Sequence, residues 1–161
     1  MFKIAGTGSR ELAKDIQQSK KVFDFCLRNL ELAKEKHKEI LVISGAAEGF
    51  DEVLAYAAIA TNCKLLLAIP NKDYGLYYWK YNSVTKTDRF HIYEDLVSRA
   101  QEVKIICNSI YEDGMHSNFK RNIYMMQNAD KVWVYNPSTP GTRHAYEYCK
   151  KMHIPTYLIT V

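Results

Sequence analysis

The sequence predicts an α/β protein: a single Rossmann-like domain over residues 1–161, with a mostly parallel sheet and helices on both faces. Three observations predict it. Short apolar runs alternate with longer segments of helical period, as in successive βαβ units. The runs are continuously apolar, as expected for strands buried on both faces. Turns rich in small residues follow three of these runs: Gly6-Thr7-Gly8-Ser9-Arg10, Ser44-Gly45-Ala46-Ala47-Glu48-Gly49-Phe50-Asp51 and Pro140-Gly141-Thr142.

The elements follow in order. Phe2–Ala5 is a short strand ending in the first glycine turn. From Ile16 to His37, Phe23, Cys26, Leu27, Leu30 and Ala33 recur at spacings of three and four, which puts them on one helix face. Ile40–Ile43 is a buried strand and Glu52–Ala60 an alanine-rich buried helix. Leu65–Ile69 is a strand stopped by Pro70-Asn71. Residues 71–90 are polar and aromatic without clear period, and read as an irregular segment over a pocket, a candidate lid. Ile92–Gln101 is a helix, Val103–Cys107 a strand and Asn108–Ser117 a loop holding Glu112-Asp113-Gly114. Asn118–Asn128 is a helix with Ser117 as its expected N-cap. Lys131–Tyr135 is a strand, Asn136–Gly141 a turn, Thr142–Met152 a helix and Pro155–Val161 the last strand.

Composition bounds the function. The 161 residues suffice for a real core, and no apolar run is long enough to span a bilayer. The N-terminus runs straight into a strand pattern, so a secretion signal is not expected and the cytoplasm is. A net charge of +4 suits an anionic ligand but is too dispersed to mark a nucleic-acid face. Cys26, Cys63, Cys107 and Cys149 are widely spaced and read as buried free thiols. The five histidines show no zinc spacing, and neither a Gly-Lys-Ser/Thr phosphate loop nor a Gly-x-Ser-x-Gly elbow occurs. No metal or cofactor is expected. The aromatic run Tyr74, Tyr77, Tyr78, Trp79 and Tyr81 reads as packing at a core edge or a subunit contact; stacking on a planar base is the alternative.

In a parallel sheet, turns after successive strands share the carboxyl edge, where helix N-termini offer unpaired N–H groups to anions. Gly8, Ser9, Arg10, Ser44, Gly45, Gly49, Asp51, Arg121, Asn122, Gly141 and Thr142 are therefore the candidate ligand-binding residues. Arg10 and Arg121 carry planar forks suited to phosphate. Asp51 is read first as the cap of the second helix, with a ribose hydroxyl as its alternative partner. Glu48 stands in the second turn, either exposed or catalytic.

These segments, with the stretch from Arg121-Asn122 to Ala129-Asp130, resemble the SLOG superfamily, and its YspA-like branch most. That group also contains the LOG phosphoribohydrolases and the DprA DNA-processing proteins. The resemblance runs from Phe2 to about Ala145 and implies a Rossmann-like fold, a nucleotide-derived ligand and a homodimer, with the aromatic run as a candidate contact. LOG enzymes resemble one another in a Pro-Gly-Gly-x-Gly-Thr-x-x-Glu turn whose glutamate helps catalysis; here that position is Ala145. Glu147 lies two residues further on, about 200° round the helix. Three readings follow. The first is a sensor, carrier or sponge for a small molecule such as an ADP-ribose or NAD derivative. The second is an N-glycosidase acting on a nucleoside 5′-monophosphate, with Arg121 and Glu48 as catalytic candidates and Glu112 as a spare carboxylate. The third, ranked last, is single-stranded DNA binding as in DprA.

Overall fold

A computed structural model describes residues 1–161. Six parallel strands form the main sheet: β1 (Phe2–Gly8), β2 (Ile40–Ser44), β3 (Lys64–Asn71), β4 (Glu102–Cys107), β7 (Lys131–Tyr135) and β8 (Thr156–Ile159). The strand order is β4-β3-β2-β1-β7-β8. β1 is thus the central strand at which the winding reverses, and such switch points open a crevice at the carboxyl edge. A two-stranded hairpin, β5 (Tyr111–Glu112) and β6 (Met115–His116), follows β4. Its turn uses Asp113 at φ 54° and Gly114 at φ 77°, the left-handed pair that a tight hairpin demands.

Five helices flank the sheet: α1 (Ile16–His37), α2 (Phe50–Ala60), α3 (Phe90–Arg99), α4 (Ser117–Gln127) and α5 (Pro140–Lys151). One apolar cluster packs Val22, Cys26 and Leu30 of α1 and Phe50, Leu54 and Ala58 of α2 against Ile4 and Val42. The other packs Met125, Met126, Ala145 and Cys149 against Ala5, Ile43 and Val134. Asp15 caps α1 by accepting the Gln18 N–H at 3.0 Å. All four cysteines are buried free thiols. No helix is long and apolar enough to cross a membrane.

Several expectations need correction. β1 extends to Gly8, so Gly6 and Gly8 lie within the strand, not in a turn. Their small size is a packing requirement: a Cβ on Gly8 would come within 2.5 Å of Phe50. Residues 71–90 are only in part an irregular segment over the pocket, which Val84 reaches. Gly75–Lys80 forms a single π-helical turn, and Tyr74, Tyr78 and Trp79 are buried in the core, which removes them as a subunit contact. Burying rings of this size stabilises the fold by roughly 2–3 kcal/mol each. The Trp79 indole donates to the Ala46 carbonyl at 2.9 Å, and the Tyr78 hydroxyl accepts the Glu48 N–H at 3.0 Å. Tyr78 and Trp79 therefore buttress the turn after β2, while Tyr81 is exposed. The cap of α4 is His116, whose Nδ1 accepts the Asn118 N–H at 3.0 Å. Ser117 lies one residue inside the helix and accepts from the Asn71 amide instead.

Candidate functional site

A cavity of about 690 Å³ opens at the carboxyl edge beside β1, where the strand order reverses. It is lined by the end of β1, the turn before α2, the β5–β6 hairpin, α4 and the start of α5. Of the residues expected to bind ligand, Gly8, Arg10, Asp51, Arg121, Asn122, Gly141 and Thr142 line it. Ser9, Ser44, Gly45 and Gly49 lie behind the wall and shape it.

The supporting roles follow from their contacts. Ser9 caps a short 3-10 turn over Arg10–Lys14, accepting the Glu11 N–H at 3.2 Å. Ser44 donates to the Asp51 carbonyl at 3.0 Å and accepts the Ala46 N–H, which closes the second turn on itself. Gly49 caps α2 at φ 79°, where a side chain is strained, and a Cβ there would lie 2.5 Å from the Ser9 carbonyl. The first and second turns dock at that point, and the Phe50 N–H donates to Ser9 at 3.2 Å. Gly45 sits beneath the charged groups. A Cβ would meet Asp51 Oδ2 at 2.7 Å and Arg121 Nη1 at 2.8 Å.

Arg121 and Asn122 join the second turn to the last. Arg121 Nη1 donates to the Gly45 carbonyl, and Nε donates to Asn122 Oδ1 at 3.0 Å. The Asn122 amide in turn donates to the Gly141 carbonyl at 3.2 Å. Arg121 is buried, lines the cavity and keeps Nη2 without a protein acceptor. Arg10 lies with its guanidinium 4.5 Å from the Tyr78 ring centre and has no carboxylate partner. Burial opposes its charge, but Tyr74, Tyr78 and Asp51 outweigh this and push its pKa upward.

At the start of α5, Pro140 occupies the first helical position and Thr139 offers no side-chain cap. The Arg143 N–H returns to the Thr139 carbonyl at 2.9 Å, so the N–H groups of Gly141 and Thr142 have no acceptor within the protein. Helix N-termini of this kind favour anions.

Asp51 does not cap α2. It lies in the first turn of the helix, and its Oδ2 accepts the Ala47 N–H at 3.3 Å. It is only 6% exposed and lines the cavity. Burial pushes its pKa up to about 6, against the pull of Arg121, the Ala47 hydrogen bond and Arg10.

Glu48 is neither exposed nor turned to the cavity. It is wholly buried, paired with Arg89 at 2.7 Å, and accepts the Val84 N–H at 2.7 Å. Both oxygens are engaged in holding the chain, so the cavity's buried carboxylate is Asp51. Ala145 is on the buried face of α5, Glu147 is exposed and Glu112 is tied to the Asn108 N–H.

Sequence reasoning missed the hairpin wall of Tyr111, Met115 and His116, and Phe119 beside it on α4. The Asp113-Gly114 pair was the available signal, since it specifies a tight hairpin. His116 spends Nδ1 on the helix cap, which leaves its Nε2 for the cavity. Burial, then Arg10 and Arg121, lower its pKa. No grouping of His, Cys, Asp and Glu here is suited to a metal ion.

No protein-family model matches the chain, and no curated protein matches it. In structure it is similar to DNA processing protein A (DprA) from Streptococcus pneumoniae, with a TM-score of 0.65 and 18% identity over 100% of this chain and 51% of that one. It is also similar to DNA processing protein A from Helicobacter pylori, solved for its single-stranded DNA binding mode, with a TM-score of 0.64 and 16% identity over 99% and 66% of the two chains. A third similar structure, TM1055, has a TM-score of 0.62 and 15% identity over 97% and 72%. The chain thus spans about half the length of the S. pneumoniae protein. At these identities the common property is the fold, a Rossmann-like α/β arrangement shared with DNA processing protein A.

Proposed function

We propose that this chain binds a nucleotide-derived small molecule through its phosphate, at the carboxyl edge of the sheet, as a sensor, carrier or sponge. The observation that carries this reading is a set of unspent donors in one cavity. The Gly141 and Thr142 N–H groups and the guanidinium groups of Arg10 and Arg121 all border it, and neither arginine is paired with a carboxylate. Charge-assisted contacts from such groups are the strong ones for phosphate. Asp51 supplies an acceptor for a ribose hydroxyl. The four ordered motifs and the shared fold support placing the chain in the SLOG superfamily, and the motifs alone favour its YspA-like branch.

The test is thermal unfolding with a panel of ADP-ribose, NAD and nucleoside 5′-monophosphates. A ligand present at about 100 times its Kd stabilises by about 2.7 kcal/mol and raises Tm by several degrees. Arg121→Ala removes the shift, and chromatography recovers the ligand unaltered. If no member of the panel moves Tm, the binding reading fails.

A second reading is favoured by Asp51. A buried cavity carboxylate with a pKa near 6 can steady an oxocarbenium-like centre or activate water, as cleavage of an N-glycosidic bond requires. Release of free base from a nucleoside monophosphate, lost in Asp51→Asn and kept in Glu48→Gln, would replace the first reading with this one. Single-stranded DNA binding stands third. It is supported by the fold shared with the H. pylori protein and by Tyr111, an exposed ring at the cavity rim suited to stacking. A DNA mobility shift abolished by modest salt is its signature.

A further inference from the structure

We propose that the free edge of β4 pairs with the same edge of a second copy of this chain, in an antiparallel register centred on Val103. β4 ends the sheet and is bonded to β3 alone. Glu102, Val103, Lys104 and Ile105 are all exposed, although α4 passes beside this stretch on one face. Val103 is 37% and Ile105 50% exposed, an uncommon load of apolar side chain for an open edge. Edges are usually blunted by proline, bulges or extreme shortness. None of these interrupts the six residues of β4, whose only such device is the charge of Glu102 and Lys104.

The backbone sets which groups are offered. The Gln101 N–H donates to Leu65 on β3 at 3.0 Å. Strand alternation then turns the N–H and C=O of Glu102 and Lys104 outward, away from β3. In an antiparallel pair, outward-facing residues exchange both hydrogen bonds, so a strand pairing with its own copy here can centre on any residue from Glu102 to Ile106, and centres on Ile105 or Ile106 set Lys104 against the uncharged Ile106 or Asn108. A centre on Glu102 opposes glutamate to glutamate, and a centre on Lys104 opposes lysine to lysine. A centre on Val103 places each Glu102 against the other copy's Lys104, twice. The same register sets Val103 against its twin and Ile105 beside Gln101, on the opposite face. Unlike charges directly across a ladder stabilise it and like charges oppose it. The sequence of this edge is therefore complementary to itself in one register, and the occupant it fits is a second copy.

The experiment is sedimentation velocity over a range of protein concentrations. Wild type is expected to show a concentration-dependent dimer. Lys104→Glu turns both cross-strand pairs repulsive and raises the dissociation constant about tenfold or more. Glu102→Lys combined with Lys104→Glu exchanges the charges, keeps every pair unlike and restores the dimer. These positions are exposed, and circular dichroism checks that each variant is folded. A wild type that stays monomeric at every concentration overturns the proposal. So does a dimer that Lys104→Glu leaves intact, or a double exchange that fails to restore it. Ligand binding is measured separately by thermal shift, so failure here leaves the reading of the cavity untouched.

Discussion

Asp51 shows what one buried charge does to this molecule. The carboxyl is held among Arg10, Arg121 and the Ala47 N–H, yet burial wins and moves its pKa from 3.8 to about 6. The folded state therefore holds this proton more tightly than the unfolded chain. Its contribution to stability is fully present below about pH 4 and is lost as pH rises through 6. At about 1.4 kcal/mol per unit, the loss amounts to about 3 kcal/mol. Asp51→Asn removes the ionisation. Urea unfolding of both proteins from pH 4 to pH 7.5 should show the variant gaining on wild type across that window. A difference that stays constant with pH would mean that Asp51 ionises freely in the fold. An anion in the cavity would hold the proton more firmly still, so the same titration with phosphate present also reports on the site.

At the scale of elements, the turn after β2 is the part of the site most dependent on its surroundings. Behind it stands a charged clamp. Arg89, just before α3, donates to Glu48 at 2.7 Å and to Glu52 at 2.5 Å, and its guanidinium lies 5.5 Å from the Trp79 ring centre. Arg89→Ala would leave the wholly buried Glu48 without its partner. Breaking a buried pair from one side costs about 3–5 kcal/mol. Equilibrium denaturation should show a loss of that size, and a loss below about 1 kcal/mol would mean that the clamp is dispensable. This clamp was invisible in the sequence, because Glu48 and Arg89 are joined only when residues 71–90 fold into the core. The same holds for the aromatic run: its lack of period reflects a π-helical turn, which follows no 3.6-residue spacing. By contrast, the buried strands and the span of α1 were legible, since continuous apolar runs and an apolar spacing of three and four are local signals. The small-residue turns were legible as a group. Which of them face the cavity was not, since Gly45 and Arg121 meet only through the sheet's strand order.

At the scale of the whole molecule, the cavity belongs to no single element. The end of β1, the first turn of α2, the middle of α4 and the start of α5 each contribute a wall. The hydrogen bonds of Arg121 and Asn122 already link two of the turns before any ligand enters. A ligand spanning Arg10, Arg121 and the α5 N-terminus must therefore stabilise all of these segments together. Local opening is easiest at the rim and at the edge strands, and hardest in β1 and β2, which are paired on both sides. Amide hydrogen exchange should accordingly slow in the peptides covering residues 6–12, 45–52, 117–123 and 139–145 when a nucleotide binds. The amides of α1, on the far side of the contacts of Arg121, should not change. Protection confined to α5 alone would reduce the site to an isolated helix terminus and remove the arginines from it. Protection spread through α1 as well would point to stiffening of the entire core.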